Sequence, residues 1–295
     1  MRLDSAQLNA FATVIDEGSF ERAAAVLHVT RSAVSQRVKL LEERVGQVLV
    51  RRATPCTPTE AGQALYRHAR EVALSETDAL ATIGGGQHTS TRLAIGVNAD
   101  SLATWFPHAM AQAAEGQSIT FDIHVEDQDH SANLLREGRV MAAVTADPQP
   151  VQGCKVLPLG TLRYRALASP AFMQRYFSQG VTAAALATAP MLVFNRKDAL
   201  QARFVGRITR RKLTPPVHWL PEANAFVMAT RAGLGWGMTP DPMVQHDLEA
   251  GTLVELLPGK PVDVPLYWQS WRLNVQALHH MTEAVQRAAG LTLLR

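Results

Sequence analysis

Three stretches of helical periodicity open the chain. Leu8, Phe11, Val14 and Ile15 recur on one helix face and predict a helix over residues 4–17. Phe20, Ala23, Ala24 and Leu27 predict a second helix of about two turns, with Ser19 placed to cap its first free N–H groups. His28, Val29 and Thr30 break that pattern. Thr30 or Ser32 then caps a third helix whose apolar positions are Val34, Val38, Leu41 and Val45. The small pair Ala23 and Ala24 lets the second and third helices approach closely, so that all three share one core. After Gly46, residues 47–57 alternate in apolar character around Arg51 and Arg52 before a proline-bearing turn, the pattern of a short hairpin or wing.

A longer helix is predicted from Thr59 to about residue 83, with Thr59 as its cap and Glu60 at its positive end. Leu65, Val72 and Ala79 recur at seven-residue spacing, flanked by Ala69, Leu80 and Ile83. A stripe this apolar needs cover, and no neighbouring segment is written to supply it. A second copy of the same helix is the economical solution, which predicts a dimer; packing on the chain's own N-terminal helices is the alternative. Gly84, Gly85 and Gly86, with residues 87–91, mark a linker.

Beyond the linker, apolar runs alternate with helical patterns. Strands are predicted over residues 93–97, 119–126 and 140–145, with helices over 101–115 and 131–137, which makes βαβ units and a largely parallel sheet. The alternation resumes with strands at 191–194, 217–220 and 234–239 and helices at 199–208 and 223–232. Two α/β lobes result. Residues 162–168 cross into the second lobe, and 265–271 cross back before a terminal helix over 275–289. The chain is thus α+β and multidomain: residues 1–58 form a winged helix-turn-helix, 59–91 a linker helix and hinge, and 92–295 a two-lobed α/β domain. Lobe I takes 92–161 and 268–295, lobe II 162–267.

Length and charge fit that division. With 295 residues, of which 47% are hydrophobic, the chain has material for two or three cores. A formal charge of +3 is too small to argue for nucleic acid by itself. Its distribution says more, because Arg31, Arg37, Lys39, Arg44, Arg51 and Arg52 face only Glu42 and Glu43 within one short stretch. No apolar run reaches bilayer length and no apolar signal core opens the chain, so a cytoplasmic protein without a membrane partner is expected. Cys56 and Cys154 are far apart, which fits a reducing compartment and offers no zinc spacing.

The third helix carries the first candidate chemistry. Opposite its apolar stripe stand Arg31, Ser32, Ser35, Gln36 and Lys39, with Thr30 at its start and Arg37 nearby. Arg and Gln can read base edges bidentately in a major groove, while Ser, Thr and Lys mostly position the helix. Arg51 and Arg52 on the wing would lie along the DNA backbone, adding affinity without reading sequence. A second cluster lies at the carboxyl ends of the strands, where open α/β sheets bind ligands. Asn98, Ala99, Asp100 and Ser101 can receive a carboxylate. Glu126 and Asp127, Phe194 and Asn195, and Glu222 and Asn224 flank the same cleft. An anion cradle beside several acids suits a zwitterion with an extra positive charge, such as a basic amino acid.

These motifs also carry a resemblance. FERAAAVLHVTRSAVSQRVKLLEERVG, followed by TPTEAG, resembles the winged helix-turn-helix of LysR-type transcriptional regulators. VNADSLATW, HVED and EANAFVMATRAGLGWGMTP are similar to the basic-amino-acid-responsive branch of that family, which includes ArgP and LysG. The resemblance implies an effector domain like the periplasmic binding proteins, a dimer or tetramer joined by a linker-helix coiled coil, and DNA bending that changes with effector. The branch implies lysine or arginine as effector and the promoter of an amino-acid exporter as target, with RNA polymerase a further possible partner. Some members are described as inhibitors of replication initiation.

Other constellations carry less. His124, Glu126 and His130 are metal-ligand types without a fourth at close spacing, so neither metal nor cofactor is expected. Gly233, Gly235 and Gly237 lack a dinucleotide fingerprint, and no nucleophile elbow or ordered triad is present. An α/β enzyme tethered by a DNA-binding domain would need a paired acid and base that the chain does not offer. An architectural or replication-origin DNA-binding protein needing no small ligand is the remaining alternative.

Overall fold

The computed structural model describes residues 3–83, 90–127 and 130–295. The glycine linker at Gly84–Gly86 and Asp129 lie outside the described residues. The N-terminal unit is built from α1 (Ser5–Glu17), α2 (Phe20–Val26) and α3 (Arg31–Val45). Each starts on a side-chain cap: Asp4 accepts from the Gln7 amide, Ser19 from Arg22 and Thr30 from Ala33. Leu8, Phe11, Val14, Phe20, Ala23, Val34, Val38 and Leu41 form the shared core that the periodicity predicts. The wing pairs β1 (Val50–Arg51) antiparallel with β2 (Thr57–Pro58). Glu42 on α3 fixes its approach by accepting from the Leu49 and Val50 amides at 2.8 and 3.3 Å.

Helix α4 (Glu60–Thr82) begins where the Thr59 hydroxyl accepts from the Gly62 amide at 3.0 Å. It serves two cores at once. Tyr66 and Ala69 are buried among the N-terminal helices, while Leu74 belongs to the core of the second domain. Arg67 reaches across to the Gln152 carbonyl at 2.6 Å and lies over the Trp271 ring at 5.4 Å. The seven-residue stripe is therefore partly covered by the chain itself: Leu65 and Val72 are half-buried. Toward the helix end, Leu80 and Ile83 remain 54% and 76% exposed.

Lobe I runs β3 (Thr91–Val97), α5 (Ala99–Ala103), α6 (Phe106–Ala114), β4 (Ile119–Val125), α7 (Ser131–Arg136) and β5 (Ala142–Thr145). The single helix expected over 101–115 is two, because Thr104 leaves helical geometry (φ −122°, ψ −89°) and Pro107 opens α6 without an N–H to continue the ladder. β6 (Cys154–Ala168) then leads to α8 (Pro170–Tyr176), α9 (Ala183–Thr188), β7 (Met191–Val193), α10 (Leu200–Gly206), β8 (Val217–Trp219) and α11 (Ala223–Arg231). β9 (Gly237–Pro240), α12 (Asp241–Ala250), β10 (Val254–Glu255), β11 (Val262–Trp271) and α13 (Gln276–Thr292) complete the chain. Helices α8, α9 and α12 and the short β10 are additions to the sequence expectation, as is the length of β6.

The sheet is only partly parallel. β3 pairs parallel with β4 and β5 in the seven-stranded sheet, and β7 with β8 in a separate two-stranded sheet, as βαβ units require. β6 and β11 instead pair antiparallel along nearly their whole length, and β11 joins β5 while β6 takes β9 and β10, all antiparallel. These two long strands are the crossings between lobes, each lying in both. Because they are hydrogen-bonded to one another, the lobes share one antiparallel ribbon, with the cleft opening at the carboxyl ends of β3, β4 and β7.

Candidate functional site

The cleft contains a cavity of ≈ 100 Å³. One water occupies about 10–15 Å³ by the same measure, so a small organic molecule fits. Lobe I contributes Asn98, Ala99, Asp100, Val125, Glu126 and Asp127; lobe II contributes Phe194, Asn195, Asp198, Leu200, Ala223, Phe226, Met238, Thr239, Pro240 and Met243. Acids stand on the polar side, and Phe194, Phe226, Leu200 and the two methionines form the apolar wall.

Asp100 sits in the first turn of α5, whose N-cap residue Asn98 directly follows β3. The Tyr164 hydroxyl, carried on the crossing strand β6, donates to its Oδ2 at 2.7 Å. Burial pushes the Asp100 carboxyl up to about 6, the tyrosine hydrogen bond works against this, and the neighbouring Asp198 and Asp127 carboxylates push it further up. The same burial, with the negative charge of Asp100, raises the Tyr164 phenol well above its ordinary range, so it remains a donor.

Asp198 is held by local turn chemistry. Asn195 Oδ1 accepts from the Lys197 and Asp198 amides, and Asp198 accepts from the Phe194 and Leu200 amides. Lys197 in that turn crosses the cleft, its Nζ 2.8 Å from Glu126 Oε1. Burial opposes ionisation of Glu126, yet the Lys197 and Asp127 hydrogen bonds outweigh it and hold its carboxyl below the usual value. Two polar side chains lining the cavity are left unanswered: both amide atoms of Asn98, 2% exposed, and the Thr239 hydroxyl, 1% exposed, find no partner among the described residues. Buried polar groups without partners are costly, and a ligand is one way to satisfy them.

Three of the expected cleft residues lie elsewhere. Glu222 and Asn224 are exposed; Glu222 caps α11 by accepting from the Asn224 and Ala225 amides, which also depresses its pKa. Helix rotation explains this, since each residue turns about 100° and, of residues 222–224, Ala223 alone points inward. Ser101 is fully buried beneath the cavity lining, with its hydroxyl unpartnered among the described residues.

On the N-terminal unit, Arg31, Ser32, Gln36 and Lys39 are exposed along one side of α3, with Ser35 and Arg37 half-buried. Thr30 spends its hydroxyl on the cap and on Ser32 at 2.9 Å. Arg31 pairs with Glu21 at 2.9 Å and Lys39 with Glu43 at 3.6 Å, both in solvent. Such exposed pairs are worth at most about 1 kcal/mol and exchange readily for phosphate. On the wing, Arg51 is exposed, while Arg52 lies 5.3 Å over the Phe20 ring.

Comparison with known proteins agrees with both halves. Residues 5–63 match the model of the bacterial regulatory helix-turn-helix proteins of the lysR family, and residues 86–291 match the LysR substrate binding domain. The chain belongs to the LysR family of transcriptional regulators. Among curated relatives, the transcriptional regulator LysG of Mycobacterium tuberculosis is 49% identical over 98% of this chain and 94% of its own. ArgP of Pseudomonas fluorescens Pf-5 is 44% identical over 96% and 95%. The crystal structure of ArgP from Mycobacterium tuberculosis superposes with a TM-score of 0.89 at 48% identity, covering 100% and 99% of the two chains. Full-length LysG from Corynebacterium glutamicum with bound effector Arg gives 0.82 at 40% identity, covering 99% and 100%.

The regulator thus falls in the LysG/ArgP branch of a family of regulators rather than enzymes. Of its cleft residues, sequence reasoning missed Asp198, Thr239 and all of the apolar wall except Phe194. Asp198 had a local signal, the Asn-x-x-Asp turn after a predicted strand. Thr239 lay within the motif GLGWGMTP, where alternation along a strand says which residues share a face but not what that face meets.

Proposed function

We propose that this regulator senses lysine or arginine in the cleft between its lobes and controls an amino-acid exporter gene. The observation that carries the reading is the juxtaposition of buried, unpartnered Asn98 and Thr239 with the carboxylates of Asp100, Glu126, Asp127 and Asp198. A basic amino acid answers both: its α-carboxylate takes donors from Asn98 and Thr239, and its cations meet the acids. The apolar wall suits the methylenes between them. The arginine bound by the related LysG supports the same chemistry.

On the output side, Gln36 and Arg31 on α3 read bases, while Ser35, Arg37, Lys39, Arg51 and Arg52 position the unit on the backbone. Two copies joined through α4, where Leu80 and Ile83 are left uncovered, would place paired recognition helices on neighbouring half-sites. Effector then acts by binding one arrangement of the dimers better than another. Titration of the purified regulator with lysine and arginine by calorimetry tests the sensing step, and heat from neither refutes it. Footprinting upstream of a neighbouring exporter gene, with and without each amino acid, tests the output. Protection unchanged by either amino acid would instead favour an architectural role.

A further inference from the structure

We propose that Lys197 is a latch between the two lobes, and that Glu126 is shared between this latch and the ligand's side-chain cation. The proposal rests on the amino-acid-sensing reading of the cleft. Glu126 follows β4 in lobe I, Lys197 follows β7 in lobe II, and their ion pair at 2.8 Å spans the opening. Glu126 lines the cavity, whereas Lys197 does not: it reaches the carboxylate from the rim, half in solvent. Both recorded donors to Glu126, Lys197 Nζ and the Asp127 amide, use Oε1. Its Oε2 has no partner among the described residues and is available to a cation inside.

Charge favours sharing over competition. Asp100, Glu126, Asp127 and Asp198 surround the cavity, and no basic side chain lines it among the described residues. Lys197 and His130 both act on Glu126, yet the cleft keeps an excess of negative charge, visible in how Asp127 and Asp198 push up Asp100. A second cation relieves that excess without displacing the first. A ligand cation on Oε2 then completes a bridge of lysine, carboxylate and ligand that holds the lobes together. Lys197 is a positioning residue here: it acts on the ligand through Glu126 and through closure. Arg196, beside it, is engaged elsewhere, lying over the Trp219 ring at 5.2 Å.

The test uses the full-length regulator with Lys197→Met and Lys197→Arg, read in two ways. Calorimetry with lysine and arginine should show Lys197→Met binding about twofold to fivefold more weakly, with Lys197→Arg restoring most of the loss, the size expected of a partly screened ion pair. Without ligand, spin labels on cysteines introduced at the exposed Gln117 of lobe I and Thr214 of lobe II should report a wider distance distribution in Lys197→Met, but not in Lys197→Arg. Tighter binding by Lys197→Met would overturn the proposal, since it would make Lys197 a rival of the ligand. Unchanged affinity together with an unchanged distribution would also overturn it. If the wild-type protein binds neither amino acid, the sensing reading fails, and the label distances alone decide whether the latch exists.

Discussion

Tyr164→Phe isolates one hydrogen bond at the centre of the cleft. The phenol is 1% exposed, does not line the cavity, and donates to Asp100 at 2.7 Å. Phe fills nearly the same space, so packing is kept and only the donor is lost. A hydrogen bond to a charged group is worth about 1.5–3 kcal/mol, and about 1.4 kcal/mol corresponds to one pH unit of a titration midpoint. Asp100 titrates at about 6 with the tyrosine in place; without it the midpoint should rise to about 7–8. At pH 7 the ionised fraction then falls from about nine-tenths to between one-half and one-tenth. If the ligand needs Asp100 ionised, wild-type affinity declines as pH falls through 6, and that of Tyr164→Phe already declines through about 7–8. Calorimetry with arginine from pH 5.5 to 8.5 would show the two curves converging at the alkaline end and separating by about twofold to tenfold at pH 7. An unmoved midpoint, or an equal loss at every pH, would refute the role of this pair.

Three further outcomes follow from the same geometry. Asp100→Asn keeps the acceptor for Tyr164 but removes a half-buried charge. Because burial raises the folded-state pKa of Asp100 to about 6, its destabilisation is complete above that pH and vanishes below the unfolded value near 4. Denaturation should therefore show the variant more stable by about 1–3 kcal/mol at pH 7.5 and no more stable at pH 4, while it binds arginine poorly at both. Gln36→Ala should cost about 1–3 kcal/mol of discrimination between operators, whereas Arg51→Ala should weaken all sequences alike and reduce the salt-dependence slope by about one; the reverse pattern in binding titrations would contradict the division between helix and wing. Gly62→Ala places a Cβ 2.1 Å from the Leu49 carbonyl oxygen, a backbone atom that cannot step aside. Melting of the N-terminal unit should fall by about 3 kcal/mol or more, with arginine binding in the cleft unchanged.

Local periodicity determined much of this protein. The spacing of Leu8, Phe11 and Val14, of Phe20 and Ala23, and of Val34, Val38 and Leu41 specifies three helices with one apolar face each, and such faces have few ways to meet. Caps at Ser19, Thr30 and Thr59 are equally local, since donor and acceptor lie within one helical turn. Pro107 is a local signal of the break between α5 and α6, since it has no N–H to continue a helical ladder, even though the apolar pattern runs through it. The acids at strand ends were likewise readable as a group, because a strand's carboxyl end in an α/β unit has a known destination.

Which of them converge is a tertiary matter. Tyr164 stands 64 residues from Asp100 and Lys197 stands 71 from Glu126, and neither partnership leaves a mark in the spacing. The rotation that turns Ala223 inward and Glu222 and Asn224 outward is set by what α11 packs against. Likewise, the covering of α4 depended on two cores contributed by distant segments. Side-chain period is a property of the backbone and is written residue by residue. Burial, and with it the raised pKa of Asp100, comes only from chains that meet after long loops have closed.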